Sequence, residues 1–483
     1  MPILALDAGT TSTRAILFGD DGTIIRQAQR AFEQFFPHDG WVEHDADEIF
    51  DATLACARDA LDGQHADAIG IAVQRETVVV WDPHTGRPVH RAIVWQDRRT
   101  AERCQQLAKD PAALALVART GLLLDPYFSA TKLAWILENV VGVRARAERG
   151  ELLAGTIDTW LLWKLTGGKV HATDATNASR TLLFDIRRQQ WDDDLCALFG
   201  VPRQLLPEVR DSAADYGTTD LLGERTPIRA LIGDQQAAAV GQECIAAGDA
   251  KATYGTGCFV LVNTGDTPLV SKHRLLTTVA LRLDGATTYA LEGSIFNAGS
   301  VVQWLRDQLG LIATAAESEA VAMSVESSGG AYLVPAFTGL GAPWWLPDAR
   351  GVLTGITRDT GRAQVVRAAL ESVALQTRDL AGAFADDGVP LARLRVDGGM
   401  AANDWLMQAI ADQLRVTVER PAILETTAWG AARLAGMHAG IYPKLGTPGF
   451  RSVEKVFSPG GDVERVNALH EGWIRALKTL QGS

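Results

Sequence analysis

The chain contains one short pattern twice: an apolar segment, a turn rich in glycine and threonine, and a second apolar segment. The two copies occupy residues 4–6, 7–12 and 14–18, and residues 251–254, 255–257 and 259–262. Each copy predicts a strand, a tight turn and a returning strand. The repetition is weak at the level of residue identity, but it predicts two related lobes, residues 1–245 and 246–483.

Strands and helices are predicted to alternate along both lobes. Apolar residues at helical spacing predict a helix over 46–61, capped by Gly63, and further helices are expected over 365–384, 403–414 and 427–438. Short apolar runs at 69–73, 78–81 and 92–95 are typical of strands. This alternation predicts α/β layers.

Charge and cysteine content exclude several classes of protein. A net charge of −12 over 483 residues argues against an extended grip on nucleic acid or an anionic membrane. The five cysteines form no CxxC pair, which favours reduced thiols in a cytoplasmic protein. No apolar run approaches the roughly 18 residues of a membrane span, so an integral membrane protein is not expected.

The two glycine–threonine turns are candidate phosphate-binding loops. Glycine lets the backbone approach a phosphate closely, and successive N–H groups form a nest for an anion. Asp7, beside the first turn, offers a hard oxygen ligand that suits Mg²⁺. Either turn alone is typical of an ordinary hairpin, but one in each lobe favours a clamp on a single phosphate chain. A third glycine-rich corner, 397–399, precedes a predicted helix and is a weaker indication of a nucleotide site.

Polar residues at strand ends are candidates for substrate binding. Arg75 and Glu76 follow one predicted strand and Trp95 ends another, a combination that suits a small polyol but also fits a surface ion pair and a core tryptophan. Asp234 follows the apolar strand 230–232 near the predicted lobe junction. Its carboxylate is a candidate acceptor for a hydroxyl proton, or alternatively a helix N-cap.

Taken together, these segments resemble the FGGY carbohydrate kinases, from Leu4 to about Gly440. Two longer stretches, 127–135 and 351–371, are similar to the signatures of that family. The resemblance implies two α/β lobes of the actin-like, hexokinase-like ATPase fold (ribonuclease H-like) with a cleft between them. Nearest are the members that phosphorylate glycerol, which implies transfer of phosphate from ATP to glycerol, with Mg²⁺ as cofactor and a role in glycerol catabolism.

The resemblance also implies roles for particular residues. For glycerol, the matching residues are Arg75, Glu76, Trp95, Tyr127, Asp234, Gln235 and Phe259. For the nucleotide, they are Thr10, Thr11, Ser12, Arg14, Thr256, Gly299, Gln303, Gly399 and Asn403. Asp234 occupies the position of the family's general base, and Asp7 and Asp234 are the expected metal residues.

Some alternatives stay open at this stage. The segment 221–226 contains one glycine, one arginine and Glu224, so the basic loop that binds fructose 1,6-bisphosphate in some relatives is not expected. Rival interpretations are a kinase for another small polyol or ketose, a catalytically silent ATP-binding sensor, and an actin-like filament or chaperone ATPase. Homodimers and homotetramers are the assemblies that the resemblance implies.

Overall fold

The computed structural model describes residues 1–346, 348–447 and 451–481. The N-terminal half, β1 to α9, is defined by these strands: β1 Ile3–Ala8, β2 Ser12–Phe18, β3 Ile24–Ala31, β4 Gln34–Phe35, β5 Glu43–His44, β6 Ala68–Val73, β7 Val78–Asp82, β8 Arg87–Pro88, β9 Ala92–Ile93, β10 Leu153–Thr156, β11 Ala172–Asp174, β12 Phe184–Asp185, β13 Gln190–Trp191, β14 Glu208–Arg210, β15 Thr218–Thr219 and β16 Thr226–Gly233. Its helices are α1 Ala46–Leu61, α2 Ala101–Leu107, α3 Pro111–Val117, α4 Ser129–Asn139, α5 Val143–Glu148, α6 Ile157–Leu165, α7 Ala175–Ala178, α8 Asp193–Phe199 and α9 Asp234–Gly241, with 3₁₀ turns at Ala118–Thr120 and Arg203–Leu205.

The C-terminal half runs from β17 to α15. Its strands are β17 Ala250–Tyr254, β18 Cys258–Gly265, β19 Leu276–Leu283, β20 Ala286–Ile295, β21 Tyr332–Val334, β22 Val352–Thr354, β23 Arg393–Asp397, β24 Thr417–Pro421 and β25 Val453–Phe457. Its helices are α10 Gly299–Asp307, α11 Glu317–Met323, α12 Arg362–Asp386, α13 Asp404–Leu414, α14 Thr426–His438 and α15 Val463–Gln481, with a 3₁₀ turn at Gly399–Ala402. Residues 347, 448–450 and 482–483 of the predicted second lobe lie outside the described residues.

The repeat seen weakly in the sequence is clear in the strand order of the two main sheets. In the N-terminal half the order is β15-β16-β6-β1-β2-β3, and in the C-terminal half it is β19-β20-β18-β17-β23-β24-β25. In both, a central strand pairs antiparallel with the returning strand of the hairpin and parallel with a later strand. Each glycine–threonine turn therefore lies at the same end of an equivalent hairpin, as predicted.

The first sheet is covered on both faces. Along β1, Leu4 and Leu6 pack into the core that contains α1, whereas Ile3 and Ala5 pack into a second core that contains residues of α14. A strand buried on both faces is expected to be a continuous apolar run, and β1 begins as one. The helix that covers the second face comes from the C-terminal half, so the two halves share this core.

Most predicted elements are confirmed, with small corrections. The helix predicted over 46–61 has those bounds, but Asp62, in the left-handed region at φ 46°, is its C-cap rather than Gly63. The strand predicted over 92–95 ends at Ile93, because the chain then turns, with the Asp97 N–H donating to the Val94 carbonyl. Within the described ranges, no helix is both long enough and apolar enough to cross a membrane.

Candidate active site between the two halves

Asp234 lies at the junction between β16 and α9. The preceding residue, Gly233, is the helix N-cap, so the alternative of Asp234 as N-cap is wrong. The Gly233 N–H donates to Thr176 Oγ1 at 2.9 Å, and the Thr176 hydroxyl donates to the buried Asp174 carboxylate at 2.9 Å. A Cβ on Gly233 would lie 2.8 Å from Arg75 Cδ, so glycine permits this close approach. The Asp234 side chain keeps 26% exposure and faces Arg75, with Arg75 Nε 3.3 Å from Asp234 Oδ1.

Arg75 and Glu76 are buried, and the interpretation as a surface ion pair is wrong. Each side chain is 2% exposed, and their closest charged atoms are 4.0 Å apart. Their main partners are two residues that the sequence analysis missed, Glu292 and Arg180. Arg75 Nη1 donates to Glu292 Oε2 at 2.6 Å and Arg75 Nη2 to Glu292 Oε1 at 3.1 Å, while Arg180 Nε donates to Glu76 Oε1 at 2.6 Å.

The electrostatics of this cluster shift the pKa values of its two glutamates in opposite directions. Burial alone would raise the pKa of Glu292, but Arg180 and Arg75 outweigh it and lower that pKa to about 2. Burial raises the pKa of Glu76, and Arg180 and Arg75 offset the increase only in part. Shifts of opposite sign among neighbouring carboxyls are typical of functional sites.

The backbone at Glu76 is held in an uncommon conformation. Its φ of 62° is in the left-handed region, where residues with a Cβ are rare. The Thr77 N–H donates to the Arg75 carbonyl at 2.8 Å, and Ser129 Oγ donates to the Glu76 carbonyl at 3.0 Å. Strain of this kind persists where the surroundings fix it, often at binding sites.

Three aromatic side chains form a wall beside the charged cluster. The ring centroid of Trp95 lies 5.4 Å from that of Tyr127 and 6.1 Å from that of Phe259, both at steep angles. Trp95 Nε1 donates to Thr10 Oγ1 at 2.9 Å, which joins the wall to the first glycine–threonine turn. Burial raises the pKa of Tyr127, so its hydroxyl is neutral. The alternative of Trp95 as a core tryptophan is wrong, because it lines this partly open wall.

The loop that carries Tyr127 is fixed by a buried lysine. Lys132 Nζ donates to the carbonyls of Pro126, Tyr127 and Phe128 at 3.0, 2.5 and 2.9 Å. Burial lowers the pKa of Lys132 to about 8, although nearby carboxylates oppose the decrease. Three carbonyl acceptors around one ammonium group satisfy all of its donors.

A second buried lysine fixes Gln235. Lys251 Nζ, on β17 of the C-terminal half, donates to Gln235 Oε1 at 2.6 Å and to Thr253 Oγ1 at 2.9 Å. Burial lowers the pKa of Lys251, and the charges of Asp397 and Asp234 oppose that change. The orientation of Gln235 is thus set from the opposite half of the molecule.

The first turn is compact and held by hydrogen bonds. The Gly9 N–H donates to the Ser12 carbonyl at 3.0 Å, and Gln74 Nε2 donates to the Gly9 carbonyl at 3.0 Å. Thr11 is exposed at the tip, and Ser12 Oγ accepts from Gln29 Nε2 at 2.9 Å. Arg14, at the base of the turn, forms an ion pair with Glu425 of the C-terminal half.

Asp7 precedes this turn and is electrostatically coupled to Asp234. Burial raises the pKa of Asp7 to about 6, Arg14 lowers it, and the negative charge of Asp234 raises it. The two carboxylates repel each other, and a cation bound between them would relieve that repulsion. Among the described residues no cluster of three or more histidine, cysteine, aspartate or glutamate side chains could hold a metal by itself.

The second turn is braced by the start of α10. The Gly299 N–H donates to the Gly255 carbonyl at 2.9 Å, and the N–H groups of Ala298 and Ser300 both donate to the Thr256 carbonyl at 3.0 Å. A Cβ on Gly299 would lie 2.5 Å from the Gly255 carbonyl oxygen, so the approach requires glycine. Thr256 is exposed, which leaves its hydroxyl accessible to a ligand.

The remaining predicted nucleotide residues lie beyond this turn. Gly399 is exposed in its 3₁₀ turn, and Gln303 is exposed on α10. Asn403 caps α13, its Oδ1 accepting from the Leu406 N–H at 2.8 Å, so that oxygen has a structural role. A Cβ on Gly299 would lie 3.6 Å from Met400 Sδ, which places the 3₁₀ turn beside the second glycine–threonine turn.

Of the predicted residues, Trp95 joins the polyol set to the first turn through Thr10, whereas Gln303 lies on α10 and Asn403 at the start of α13. The residues that sequence reasoning missed are Arg180, Glu292, Lys132 and Lys251. Glu292 carried a usable signal, since it is a single acidic residue within an apolar strand, 289–295. A buried carboxylate of that kind needs a cationic partner, although the sequence does not reveal which one.

Comparison with known proteins agrees with this architecture. The model of the "FGGY family of carbohydrate kinases, N-terminal domain" matches residues 2–241, and the model of its C-terminal domain matches residues 250–439. A protein named glycerol kinase from Alcanivorax borkumensis is 58% identical over 494 aligned positions, covering 100% of this chain and 99% of its own. Glycerol kinase 1 of Pseudomonas aeruginosa is 55% identical, covering 99% of each.

Solved structures show the same relationship. The crystal structure of Plasmodium falciparum glycerol kinase with ADP matches with a TM-score of 0.92 at 35% identity, covering 99% of this chain and 98% of that one. A xylulose kinase from Lactobacillus acidophilus has a TM-score of 0.90 at 22% identity, covering 100% and 99%, which shows a shared fold. The resemblance drawn from the motifs is confirmed, and the chain belongs to the FGGY family of carbohydrate kinases.

Proposed function

We propose that this protein transfers the γ-phosphoryl group of ATP to glycerol, forming sn-glycerol 3-phosphate and ADP. The observation that carries the proposal is the position of Asp234, a partly exposed carboxylate beside Arg75. Arg75 shares its buried cluster with Glu76 and Arg180, and the Arg180 guanidinium lies 5.6 Å from the ring centroid of Tyr127 in the aromatic wall. Whole-chain similarity to proteins named glycerol kinase supports the same choice of substrate. A small polyol needs both paired polar groups and apolar walls, and this site supplies them.

Glycerol is proposed to bind against the charged cluster. Arg75 donates to, and Glu76 accepts from, its hydroxyl groups, while Trp95 and Phe259 cover the carbon chain. Tyr127 and Gln235 contribute further hydrogen bonds, and their orientations are fixed by Lys132 and Lys251. Selection against substrates that lack a hydroxyl follows from the cost of leaving such buried polar groups unpaired.

The nucleotide is proposed to span the cleft between the two halves. The residues assigned to it are Thr10, Thr11, Ser12, Arg14, Thr256, Gly299, Gln303, Gly399 and Asn403. The two turns clamp the phosphates through backbone N–H and hydroxyl groups, and the adenosine lies towards the 3₁₀ turn at Gly399–Ala402. ADP in the Plasmodium falciparum relative supports nucleotide binding by this fold.

Mg²⁺ is proposed to bind at Asp7 and Asp234 together with phosphate oxygens. Carboxylate and phosphate oxygens are the ligands that this ion prefers. The raised pKa of Asp7 supports the proposal, because the negative charge of this buried carboxylate would be stabilised by a bound cation. When bound, the ion would neutralise charge on the phosphate chain.

Asp234 is proposed as the general base. As a terminal hydroxyl oxygen of glycerol bonds to the γ-phosphorus, the bond from that phosphorus to the bridging oxygen of ADP breaks, and the hydroxyl proton passes to Asp234. Arg75, held by Glu292, orients the polyol so that attack is in line. The N–H groups of the two turns stabilise charge on the transferred group.

The proposal also covers the two lobes, the cellular location and the oligomeric state of the protein. Residues 1–245 and 246–483 are proposed as two lobes that close over the substrates and exclude water, which would otherwise compete with glycerol. The five thiols are free and buried, which supports a reducing, cytoplasmic location. A homodimer or homotetramer is proposed, to be measured by light scattering on the purified protein.

The test is an assay of ADP release with Mg²⁺ and ATP. Glycerol, dihydroxyacetone, erythritol and xylulose are compared with a blank that contains no acceptor. Turnover with glycerol far above the other acceptors is the expected result. A preference for xylulose or erythritol would identify a kinase of another polyol or ketose, and ATP binding without turnover would indicate a silent sensor.

A further inference from the structure

Glu292 joins the two halves of the molecule at the polyol site. It lies on β20 of the C-terminal half, is fully buried, and binds arginines that both belong to the N-terminal half. Its Oε1 accepts from Arg180 Nη2 at 2.9 Å and from Arg75 Nη2 at 3.1 Å, and its Oε2 accepts from Arg75 Nη1 at 2.6 Å. Both oxygens are therefore committed to arginines of the opposite half.

This contact determines how Arg75 faces its other neighbours. Because both terminal nitrogens of Arg75 are directed to Glu292, Arg75 presents only Nε to Asp234, at 3.3 Å. Arg75 Nη1 also donates to Gln236 Oε1 at 3.2 Å. Without Glu292, the N–H groups that it releases would turn to Asp234 or Glu76, whose carboxylate oxygens lie 3.3 and 4.0 Å from Arg75 Nε. Glu292 thus holds the orientation of Arg75, so that Arg75 faces Asp234 through Nε while its terminal nitrogens bind Glu292.

The same strand also reaches the second glycine–threonine turn. Glu292 is paired with Leu261 and Ser294 with Phe259 on β18, so Glu292 and Phe259 share one face of the sheet. β20 ends at Ile295, and the chain continues directly into residues 298–300, whose N–H groups brace Gly255 and Thr256. One short segment therefore connects the arginines of the polyol site with the turn assigned to phosphate binding.

We propose that Glu292 is a positioning residue that couples polyol binding to nucleotide binding. The inference rests on the proposed function. Glycerol, by ordering Arg75 and Glu76, favours the arrangement in which Glu292 docks the C-terminal half, and the brace at 298–300 then holds the Thr256 turn ready for phosphate. Ligands that favour the same arrangement must strengthen each other's binding by the same factor.

The test measures glycerol affinity by calorimetry with and without saturating ADP and Mg²⁺, in the whole protein. In the wild type, ADP should tighten glycerol binding at least about fivefold, the lower end of typical couplings. In Glu292→Gln, glycerol binding should weaken about tenfold or more. The factor by which ADP tightens glycerol binding should fall below about twofold in this variant. The matched control is Glu371→Gln, which neutralises another buried glutamate paired with an arginine, Arg367 on α12, and should retain the wild-type factor.

Two further measurements test the inference even if Glu292→Gln folds poorly. Glu292→Asp keeps the charge on a shorter stem and should restore folding and part of the coupling. In the wild type, glycerol alone should slow hydrogen exchange of the amides at 298–300. The inference would be overturned if glycerol slowed hydrogen exchange around Glu76 but left exchange at 298–300 unchanged. It would also be overturned if ADP did not change the affinity of the wild type for glycerol. If glycerol is phosphorylated but not coupled to ADP, this inference alone fails; if glycerol does not bind, the proposed function fails with it.

Discussion

At the scale of single residues, the site concentrates charges that are costly to bury. Asp7 and Asp234 interact as like charges, Glu76 occupies a left-handed backbone conformation, and Glu292 compensates two buried arginines. Each feature lowers the stability of the unliganded protein or requires a specific partner. Their presence in one cleft is explained by ligand binding better than by folding.

Asp234→Asn tests the assignment of the base. The amide cannot accept the hydroxyl proton, so turnover should fall by about 10²–10⁴-fold, the usual contribution of general-base catalysis. Glycerol affinity, measured by calorimetry, should change by less than about tenfold, because Arg75 and Glu76 are retained. Near-normal turnover in the ADP-release assay would remove Asp234 from that role.

Asp7→Asn should stabilise the unliganded protein while reducing its activity. The folded-state pKa of Asp7, about 6, lies above the unfolded value near 3.8, so the native state holds the proton more tightly. The contribution of Asp7 to the free energy of unfolding is therefore greatest below about pH 4, and it is lost as pH rises from about 4 to about 6. Removing the ionisation should add about 1–3 kcal/mol at pH 7.

The measurement is urea unfolding of both proteins at several pH values without ligands. The difference in the free energy of unfolding between variant and wild type should narrow as pH falls from 7 towards 5. A difference that does not vary with pH would mean that Asp7 has an ordinary pKa in the folded protein.

At the scale of elements, α9 and α14 cross at unusually close range, with glycines from both helices at the contact. A Cβ on Gly430 of α14 would lie 1.8 Å from the Ala237 carbonyl oxygen, and a Cβ on Gly241 of α9 would lie 2.1 Å from the Thr426 carbonyl oxygen. Because α9 begins with Asp234, this crossing fixes the position of the proposed base.

Gly430→Ala and Gly382→Ala should therefore have opposite effects. The first places a methyl group against backbone and should lower the free energy of unfolding by at least about 2 kcal/mol. The second lies in α12, where a Cβ would meet nothing within 4 Å, and should raise it by up to about 1 kcal/mol. Chemical denaturation measures both, and equal effects would contradict the close crossing.

At the scale of the whole molecule, the two halves are held by contacts that surround the cleft. Besides Glu292, these include the Arg14–Glu425 ion pair and the hydrogen bond from Gln242 Nε2 to Asp397 Oδ2 at 2.9 Å. Arg14 is also a proposed phosphate residue. If Arg14 binds phosphate, its partner Glu425, at the start of α14, competes with the nucleotide for the same guanidinium group.

Glu425→Gln should tighten ADP binding by about two- to fivefold, because a partly exposed ion pair contributes up to about 1 kcal/mol. The gain should shrink at high salt, where such pairs are screened. A matched control is Asp59→Asn, which removes an ion pair with Arg30 outside the site. If ADP affinity falls in Glu425→Gln while the control is unchanged, then Glu425 supports the nucleotide site instead of competing with it.

The local elements and the repeat of the fold were predictable from the sequence alone. Glycine turns, helix periodicity over 46–61 and the paired hairpins depend on neighbouring residues, and they are found where predicted. The polyol candidates Arg75, Glu76 and Asp234 were also identifiable, since they follow predicted strands and match a family pattern. The charged partners of these residues could not be predicted from the sequence.

The partners were decided by the tertiary structure. Arg75 and Glu292 are 217 residues apart along the chain, and Arg180 and Glu76 are 104 apart. No local pattern encodes such pairings, because they arise only when segments that are distant in the chain pack together and bury charges that must be neutralised. The sequence therefore determined the strands, turns and chemical groups of the cleft, whereas tertiary packing, both within the N-terminal half and between the halves, determined which charges meet and how each side chain is held.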